Sequence, residues 1–225
     1  MDRKIFVIKY GETTLRESYI FSGGRRDVML PISFVIYLIQ DGERNILVDA
    51  GCNDGAGFEM VRFQKPSVIL KECGVSPADV TDIIITHHHH DHIEAVKDYP
   101  NAVVYMQKDE YELGKTYLLQ GMRVELFDDF KEVAEGLKVL KIGGHSEGSC
   151  VVICCCQDKE YLFCGDECYV KACIENQIPT GTSWNPNVSE KFIQTYGTES
   201  YEFLLFHDPD ILNGRLGVEE IPIIQ

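Results

Sequence analysis

The sequence predicts an α/β protein in which two similar β units face each other. Strand patterns and helical patterns alternate along most of its 225 residues. The segment FVIYLIQDGERNILVDAG (34–51) is also matched in pattern by CVVICCCQDKEYLFCGDE (150–167). Each consists of an apolar strand, a Gln-Asp turn and a second strand that leads to Gly and Asp. An internal duplication explains this repeat, and the alternative is a chance similarity over one short hairpin.

The first half of the chain is rich in predicted strands. Residues 32–40 form an apolar strand, an Asp-Gly pair then gives a strong hairpin signal, and residues 45–51 return as the next strand. A helix is predicted around 56–73, because the glycine that follows is a common helix terminator. Ser76-Pro77 is typical of an N-cap with a proline in the first turn, and TDIIIT (81–86) reads as a short buried strand.

The second half continues the alternation of strands and helices. Gly114 weakens the first of the helical patterns, because glycine costs backbone entropy in a helix. A helix and a final strand follow the repeated hairpin. The predicted elements outside that hairpin are strands at 101–106, 122–128, 137–144 and 201–208 and helices at 108–120 and 188–197.

Composition limits the classes of protein to which the chain can belong. Its length and even composition predict one domain over residues 1–225. A net charge of −15 disfavours nucleic acid as a partner, because phosphate backbones are repelled. Apolar runs such as FVIYLI (34–39) are too short to span a membrane, and the N-terminus lacks a secretory pattern, so we expect a cytoplasmic protein. The nine cysteines include no C-x-x-C pair and are expected to be reduced core residues.

Five of the seven histidines lie in one stretch, THHHHDH (86–92), directly after a predicted buried strand. In an extended segment His87 and His89 point the same way, so both can reach one metal ion. Asp91 and His92 follow where the chain turns, so they can face a second ion. Imidazole and carboxylate ligands suit zinc, iron or manganese. The spacing therefore predicts a metal site.

Two other interpretations of this stretch are less consistent with its position. A purification tag lies at a terminus, whereas this run is internal. A solvated polar loop does not require Asp and His at this spacing. His88 and His90 have the wrong parity to face the same ion, so we expect them to pack or to support the ligands.

Two ions about 3.5–4 Å apart need more ligands than this stretch supplies. The two remaining histidines are His145, in GGHSEGS, and His207, in LLFHDPD. Asp166 ends the second hairpin, in FCGDECY. All three lie at the ends of predicted strands, where loops gather into sites. They are therefore the candidates that complete the centre.

These motifs, in this order, resemble those of the metallo-β-lactamase superfamily. ILVDAG resembles the first motif of that family, and THHHHDH, GGHSEGS, CGDECY and LFHD resemble its metal-binding motifs. The resemblance covers essentially the whole chain. It implies a four-layer αβ/βα sandwich with two mixed β-sheets, helices on the outer faces and the metal ions at one edge.

The resemblance also implies a set of ligands for two divalent ions, zinc first, with iron or manganese as alternatives. Asp49 is expected to orient one of the ligands. The seven implied ligands are His87, His89 and His145 on the first ion, Asp91, His92 and His207 on the second, and Asp166 as the bridge between them.

One branch of the family is most similar. Tyr169 stands three residues after Asp166, and this D-x-x-Y resembles the N-acyl homoserine lactonases, in which that tyrosine contacts the substrate. His89 stands where the oxygen-reducing branch of the family has Glu, which favours hydrolysis. A departure is Ile93-Glu94-Ala95, where the family has glycines.

The implied activity is the opening of a lactone by a hydroxide that bridges the two ions. Asp166, Asp91 and Tyr169 are the residues expected to act in catalysis on a small lactone or ester. Three residues are candidates for an acyl-chain pocket: Phe21, Met29 and Trp184. The alternatives are a thioesterase or phosphodiesterase on the same metal site, or a di-iron redox protein. Oligomeric state is left open.

Overall fold

Thirteen strands form two sheets in the computed structural model, which describes residues 3–55, 57–157, 159–197 and 201–222. In chain order the strands are β1 (Lys4–Arg16), β2 (Met29–Asp41), β3 (Arg44–Val48), β4 (Arg62–Phe63), β5 (Asp82–Ile84), β6 (Val103–Gln107), β7 (Arg123–Phe127), β8 (Phe130–Ala134), β9 (Leu137–Lys141), β10 (Cys150–Cys156), β11 (Lys159–Phe163), β12 (Glu202–Leu204) and β13 (Gly217–Glu220).

The helices of the described residues are short, apart from the last. The α-helices are α1 (Glu17–Ile20), α2 (Pro66–Ile69), α3 (His90–Ile93), α4 (Lys108–Gly114), α5 (Lys171–Glu175) and α6 (Pro186–Tyr196). Single 3₁₀ turns occur at Leu70–Cys73, Pro77–Asp79, Glu94–Asp98, Lys115–Tyr117, Gly165–Glu167 and Ile211–Gly214. None of the helices within the described ranges is long and apolar enough to cross a membrane.

Both sheets are mixed. The first has the order β13-β1-β2-β3-β5-β6-β7, with β4 paired to β1, and it changes from antiparallel to parallel pairing at β3. The second has the order β12-β11-β10-β9-β8, in which only β11 and β12 are parallel among the described strands. The predicted α/β class with two mixed sheets is therefore confirmed.

Strand β2 shows why the sheets lie between layers of helices. Its residues Val35, Tyr37 and Ile39 belong to the core cluster that the two sheets share, whereas Ile36 and Leu38 belong to the cluster that includes the helices. Consecutive strand residues point to opposite faces, so both faces of β2 are buried. The cluster that includes the helices contains, among others, the helical residues Ile69, Ile93, Phe192 and Ile193. The predicted four-layer sandwich is confirmed.

The two repeated hairpins lie one in each sheet. In β2–β3, Asp41 pairs with Arg44 across Gly42, which has a φ of 61°. In β10–β11, Cys156 pairs with Lys159. The two similar units therefore face each other as the sequence predicts, and each leads to an aspartate at the same edge of the sandwich.

The prediction of one helix around residues 56–73 is wrong. Arg62 and Phe63 instead form β4, which pairs with β1, and the helix begins only at Pro66. Proline is favoured in the first turn of a helix and disrupts its interior, so Pro66 sets this start. The predicted end is correct, since Gly74 has a left-handed φ of 74°.

The helix predicted at 108–120 is shorter than expected, because α4 ends at Gly114. A Cβ atom on Gly114 would lie 2.7 Å from Met106 Cε and 3.2 Å from His88 Cβ. This glycine therefore lets α4 pack closely against the histidine segment. All nine cysteines are free, as predicted, and Cys155 is exposed on β10. The single domain over residues 1–225 stays a prediction.

Candidate metal centre

The predicted ligands meet where strands of both sheets end. Asp49 follows β3, and the histidine segment follows β5, which runs parallel to it. Asp166 and His207 follow β11 and β12, which are also parallel. The turn with His145 joins β9 to β10. Because parallel strands end at the same edge of a sheet, residues far apart in sequence come together here.

The atoms that could bind a metal form two neighbouring groups at this edge of the sandwich. Within each group the nitrogen and oxygen atoms that could bind a metal lie within 4.8 Å of one another. The first group is His87, His89, His145 and Asp166, and the second is Asp91, His92 and His207. All seven predicted ligands are therefore placed in one cluster, in the two sets that the family resemblance implies. Their binding of metal stays a prediction.

Asp166 lies between the two groups. Its Oδ2 is 3.4 Å from His145 Nε2 and 3.7 Å from His87 Nε2. Its Oδ1 is 2.9 Å from His207 Nε2 and 3.1 Å from His92 Nε2. One carboxylate oxygen thus faces each group, which is the geometry that a bridging ligand requires.

Asp49 and Thr86 fix the orientation of two of the imidazoles. The Nδ1 of His92 donates to Asp49 Oδ2 over 2.6 Å. Thr86 donates to the same carboxylate through its backbone N (2.7 Å) and its Oγ1 (2.8 Å), and that Oγ1 accepts from His87 Nδ1 over 3.0 Å. Because both Nδ1 atoms are donors, both Nε2 atoms are directed into the cluster and are the nitrogens available to a metal ion.

Backbone carbonyls orient two further imidazoles in the same way. His145 Nδ1 donates to Thr182 O over 2.7 Å, and His207 Nδ1 donates to Ser33 O over 2.9 Å. Four histidines therefore use Nδ1 as a donor and direct Nε2 toward the centre, where a divalent metal ion would displace any proton on that nitrogen.

The donor atoms fit a pair of divalent ions. Among the residues that the structure describes, the buried His87 Nε2 has no hydrogen-bond partner. His145 Nε2 lies 2.9 Å from His89 Nδ1, and His92 Nε2 lies 3.4 Å from His207 Nε2. Lone pairs that face each other at these distances require a cation or a proton between them. Imidazole and carboxylate donors are those of zinc and related ions.

The protonation equilibria of the cluster reflect this crowding. Burial opposes a charge on Asp166, but His207 and His92 outweigh it and hold the pKa of Asp166 well below its ordinary value. Burial also opposes a charge on His92, but Asp166 and Asp49 outweigh it and raise the pKa of His92 well above its ordinary value. Burial lowers the pKa of His89 to about 4. Positive charge is therefore favoured at His92, beside Asp166 and Asp49, whereas the imidazole of His89 is kept neutral.

Glu110, on α4, is a buried residue of this region that the sequence did not reveal. Its carboxylate accepts from His88 N (2.7 Å), His88 Nδ1 (2.5 Å), Ser146 Oγ (2.6 Å) and Gly148 N (2.8 Å). It therefore ties the histidine segment to the turn that holds His145. His88 was expected to support the ligands, and this contact is consistent with that role.

Glu167 holds the same turn from the other side. Its Oε1 accepts from Gly144 N and His145 N, each at 3.1 Å, and from Ser149 Oγ at 2.5 Å. Burial raises the pKa of Glu167 to about 7. Neither buried glutamate carries a local sequence signal, because each is recognised only by donors that lie distant in the chain.

We expect Glu110→Gln to weaken metal binding about tenfold, because its amide can no longer accept from every donor around it. The same change should lower the free energy of unfolding by about 1–3 kcal/mol, since buried donors lose their partner. Competition with a chelator and thermal unfolding of the metal-free protein measure the two effects. Glu112→Gln, on the exposed side of the same helix, is the control and should change neither. An unaltered metal affinity in Glu110→Gln would contradict the positioning role.

A cavity of about 310 Å³ opens beside the cluster. Its floor includes the candidate ligands His89, Asp91, Asp166 and His207, and its walls are mostly apolar. The wall residues are Leu15, Tyr19, Ile32, Phe34, Phe58, His90, Tyr169 and Thr182. The expectation that Phe21, Met29 and Trp184 line it is wrong, and Met29 and Trp184 are exposed.

Tyr169 lies at the junction of the cavity and the cluster. Its ring stacks on His207 with centroids 4.9 Å apart. Burial raises the pKa of Tyr169 well above its ordinary value, so the hydroxyl keeps its proton at neutral pH and can donate.

Comparisons with known proteins agree with this architecture. The sequence profile described as the metallo-beta-lactamase superfamily matches residues 35–190. An N-acyl homoserine lactonase from Bacillus thuringiensis is 26% identical over 201 residues, which cover 79% of this chain and 80% of that protein. The N-acyl homoserine lactonase AiiB from Agrobacterium fabrum is 22% identical over 218 residues, with coverage of 75% and 78%.

Solved structures share the fold across nearly the whole chain. A structure of N-acyl homoserine lactone hydrolase, with N-hexanoyl-L-homoserine at its catalytic metal centre, superposes with a TM-score of 0.82 at 23% identity. That match covers 96% of this chain and 98% of the other. The dizinc quorum-quenching lactonase AidC gives a TM-score of 0.75 at 17% identity and covers 99% of this chain and 95% of its own.

Proposed function

The chain belongs to the metallo-β-lactamase superfamily of metal-dependent hydrolases, and we propose that its substrate is a lactone of the N-acyl homoserine lactone type. The observation that carries this proposal is the position of Asp166. It lies between two groups of imidazole nitrogens at the floor of a mostly apolar cavity. An ester carbonyl could reach the floor while an acyl chain packs against the walls.

In this proposal, His87, His89 and His145 hold one divalent ion, and Asp91, His92 and His207 hold the other. Ions held there would supply a water of lowered pKa and would stabilise negative charge on the ester oxygens. Asp166 faces both groups of ligands and would orient that water. Asp166 is also proposed to accept a proton from that water and to pass it to the leaving oxygen.

Tyr169 is proposed to orient the substrate carbonyl. Its buried hydroxyl keeps its proton, and its ring is held against His207. A donor fixed in this way can stabilise the oxygen on which negative charge develops. The acyl chain is proposed to lie against Leu15, Ile32 and Phe34, which form an apolar wall beside it.

The lining of the cavity also bears on the alternative substrates. Within the described parts of the chain, no Lys or Arg lines this cavity, so no side-chain cation there would assist the proposed ions in binding a phosphate. This observation disfavours a phosphodiester. A thioester presents a similar carbonyl with sulfur as its leaving atom, and it is the nearest competitor. A di-iron redox protein is the other alternative, and metal analysis with an optical spectrum of the purified protein distinguishes it.

A substrate panel tests the proposal. Protein reconstituted with zinc is given N-hexanoyl homoserine lactone, an acyl thioester, a β-lactam and a phosphodiester, and kcat/KM is measured for each. We expect the lactone to have the highest value. A thioester or phosphodiester preferred by tenfold or more would refute the lactone assignment while leaving the metal centre intact.

We expect Tyr169→Phe to lower kcat for the lactone about tenfold, which is the rate equivalent of one hydrogen bond. Metal content should stay at the level of the unaltered protein, because the hydroxyl is not a ligand in this proposal. Steady-state kinetics with metal analysis measures both. Tyr111→Phe, on α4 and outside the residues that line the cavity, serves as a control. An unchanged kcat would show that Tyr169 only packs against the site.

A further inference from the structure

A second, separate group of metal-binding atoms lies beside the cavity. Cys52 Sγ, a carboxylate oxygen of Asp54 and a ring nitrogen of His90 all lie within 4.8 Å of one another. His90 Nε2 is 2.8 Å from Asp54 Oδ1, and Cys52 Sγ donates to Asp54 O over 3.0 Å. No atom of this trio belongs to the proposed dinuclear centre.

The donor set is that of a mononuclear transition-metal site. We propose that Cys52, Asp54 and His90 bind a third divalent ion of the zinc class, beyond the two proposed above. One thiolate and one carboxylate balance its two positive charges, and the imidazole adds a neutral nitrogen. Three protein ligands leave the fourth tetrahedral position to water. This proposal does not depend on the lactone assignment.

The backbone around the trio is already fixed. Gly51 O accepts from Ala95 N over 2.9 Å, and Gly51 N donates to His92 O over 3.3 Å. Asn53, between the two ligands of the loop, donates through its N to Glu94 Oε2 over 2.8 Å. Glu94 therefore secures the loop that carries Cys52 and Asp54.

The ion can reach the trio from solvent. Cys52 is buried, but the Asp54 side chain is 65% exposed and that of His90 is 33% exposed. The buried sulfur therefore lies beneath two accessible ligands. Tyr10 holds the base of the site, since its hydroxyl donates to Asp91 O over 2.7 Å and lies 3.6 Å from Cys52 Sγ.

Binding must displace one proton. Burial raises the pKa of the Cys52 thiol to about 12, so the sulfur is protonated at neutral pH without an ion. A coordinating thiol is deprotonated outright, so a metal–sulfur bond forms, the S–H bond breaks and the proton passes to the buffer. No oxidant or reductant takes part. His90 also lines the cavity, so an ion at this site fixes a side chain at the cavity rim.

Cobalt(II) titration tests the proposal, because thiolate coordination gives a sulfur-to-cobalt charge-transfer band in the near ultraviolet. The dinuclear centre as proposed contains no sulfur, so only the third site can give this band. We expect it to appear as a third equivalent of Co²⁺ binds to the metal-free protein, and Cys52→Ser to abolish it. His90→Phe should raise the Kd of that equivalent at least tenfold.

Cys155→Ser is the matched control, because it removes an exposed thiol outside the trio and should leave the band unchanged. Absence of the band at every Co²⁺ ratio, or its persistence in Cys52→Ser, would overturn the third site. Lactone turnover is measured on the same samples. A protein that shows the band and no lactone turnover would contradict the proposed function and leave the third site supported.

Discussion

Asp166→Asn is expected to reduce kcat/KM for lactone hydrolysis about 10³-fold, the loss that removal of one central electrostatic group produces. The carboxylate faces four imidazole nitrogens, at 2.9, 3.1, 3.4 and 3.7 Å. An amide is neutral and turns an NH₂ group toward one of the two groups of ligands. Metal content should fall from two ions per chain to one or fewer, as metal analysis of the purified variant measures.

The control for this change is Asp128→Asn, because Asp128 is an exposed carboxylate paired with Lys108 on the surface. Exposed ion pairs contribute little to the stability of the fold, so both metal content and activity should be unaffected. Two ions per chain in Asp166→Asn, with activity within tenfold of the unaltered protein, would show that Asp166 does not bridge the groups.

Asp49→Asn should weaken the binding of metal about 100-fold, the upper range for residues that orient a ligand. The carboxylate accepts from His92 Nδ1, so it keeps the proton of His92 away from Nε2. An amide nitrogen in that place favours the other tautomer, which directs a proton at the metal ligands. Asn tolerates the left-handed φ of 63° at this position, so the backbone should remain in place.

Competition with a chelator measures this loss of affinity, and activity at excess metal separates positioning from chemistry. We expect most of kcat to return when the ion is saturating, because Asp49 is not a proposed ligand. Asp109→Asn, which alters a half-exposed carboxylate paired with Lys141, is the matched control. Equal metal affinity in Asp49→Asn and in this control would contradict the role assigned to Asp49.

The sequence contained much of the site because its ligands follow short buried strands. His87 and His89 alternate in an extended segment, and Asp91 and His92 come where that segment turns into α3. The two hairpins were visible because their strands are continuously apolar. Asp49 and Asp166 end those hairpins, and their carboxylates contact the two nitrogens of His92. The aspartates that end the two repeated hairpins therefore contact opposite nitrogens of the same imidazole, that of His92.

Other elements were hidden because their polar residues are satisfied by distant parts of the chain. Strand β1 was not predicted, since Lys9 and Glu12 interrupt its apolar pattern. Lys9 is fully buried, and its Nζ donates to Pro209 O (3.1 Å) and Ile211 O (2.9 Å). The edge strand β13 and the two-residue β4 exist only through their pairing with β1. The apolar and polar pattern of a single sequence does not show which distant residues will pair with a strand.

The cavity walls could not be predicted for a similar reason. Leu15 comes from β1, Ile32 and Phe34 from β2, and Phe58 from the loop before β4. Each reads in sequence as an ordinary strand or loop residue. Only the pairing of β1 with β2 and the fold of the loop direct them to one cavity. The exposed aromatic Trp184, by contrast, attracts attention in the sequence and lies outside it.

The most direct test of the central claim is a metal titration of the metal-free protein with zinc, followed by hydrolysis of N-hexanoyl homoserine lactone. Turnover should be absent without metal, rise as zinc is added and reach its plateau once two ions per chain are bound. The double variant His87→Ala, Asp91→Ala, which removes one proposed ligand from each group, should not respond. Full turnover with less than one ion per chain, or in the double variant, would contradict a dinuclear hydrolytic centre at this site.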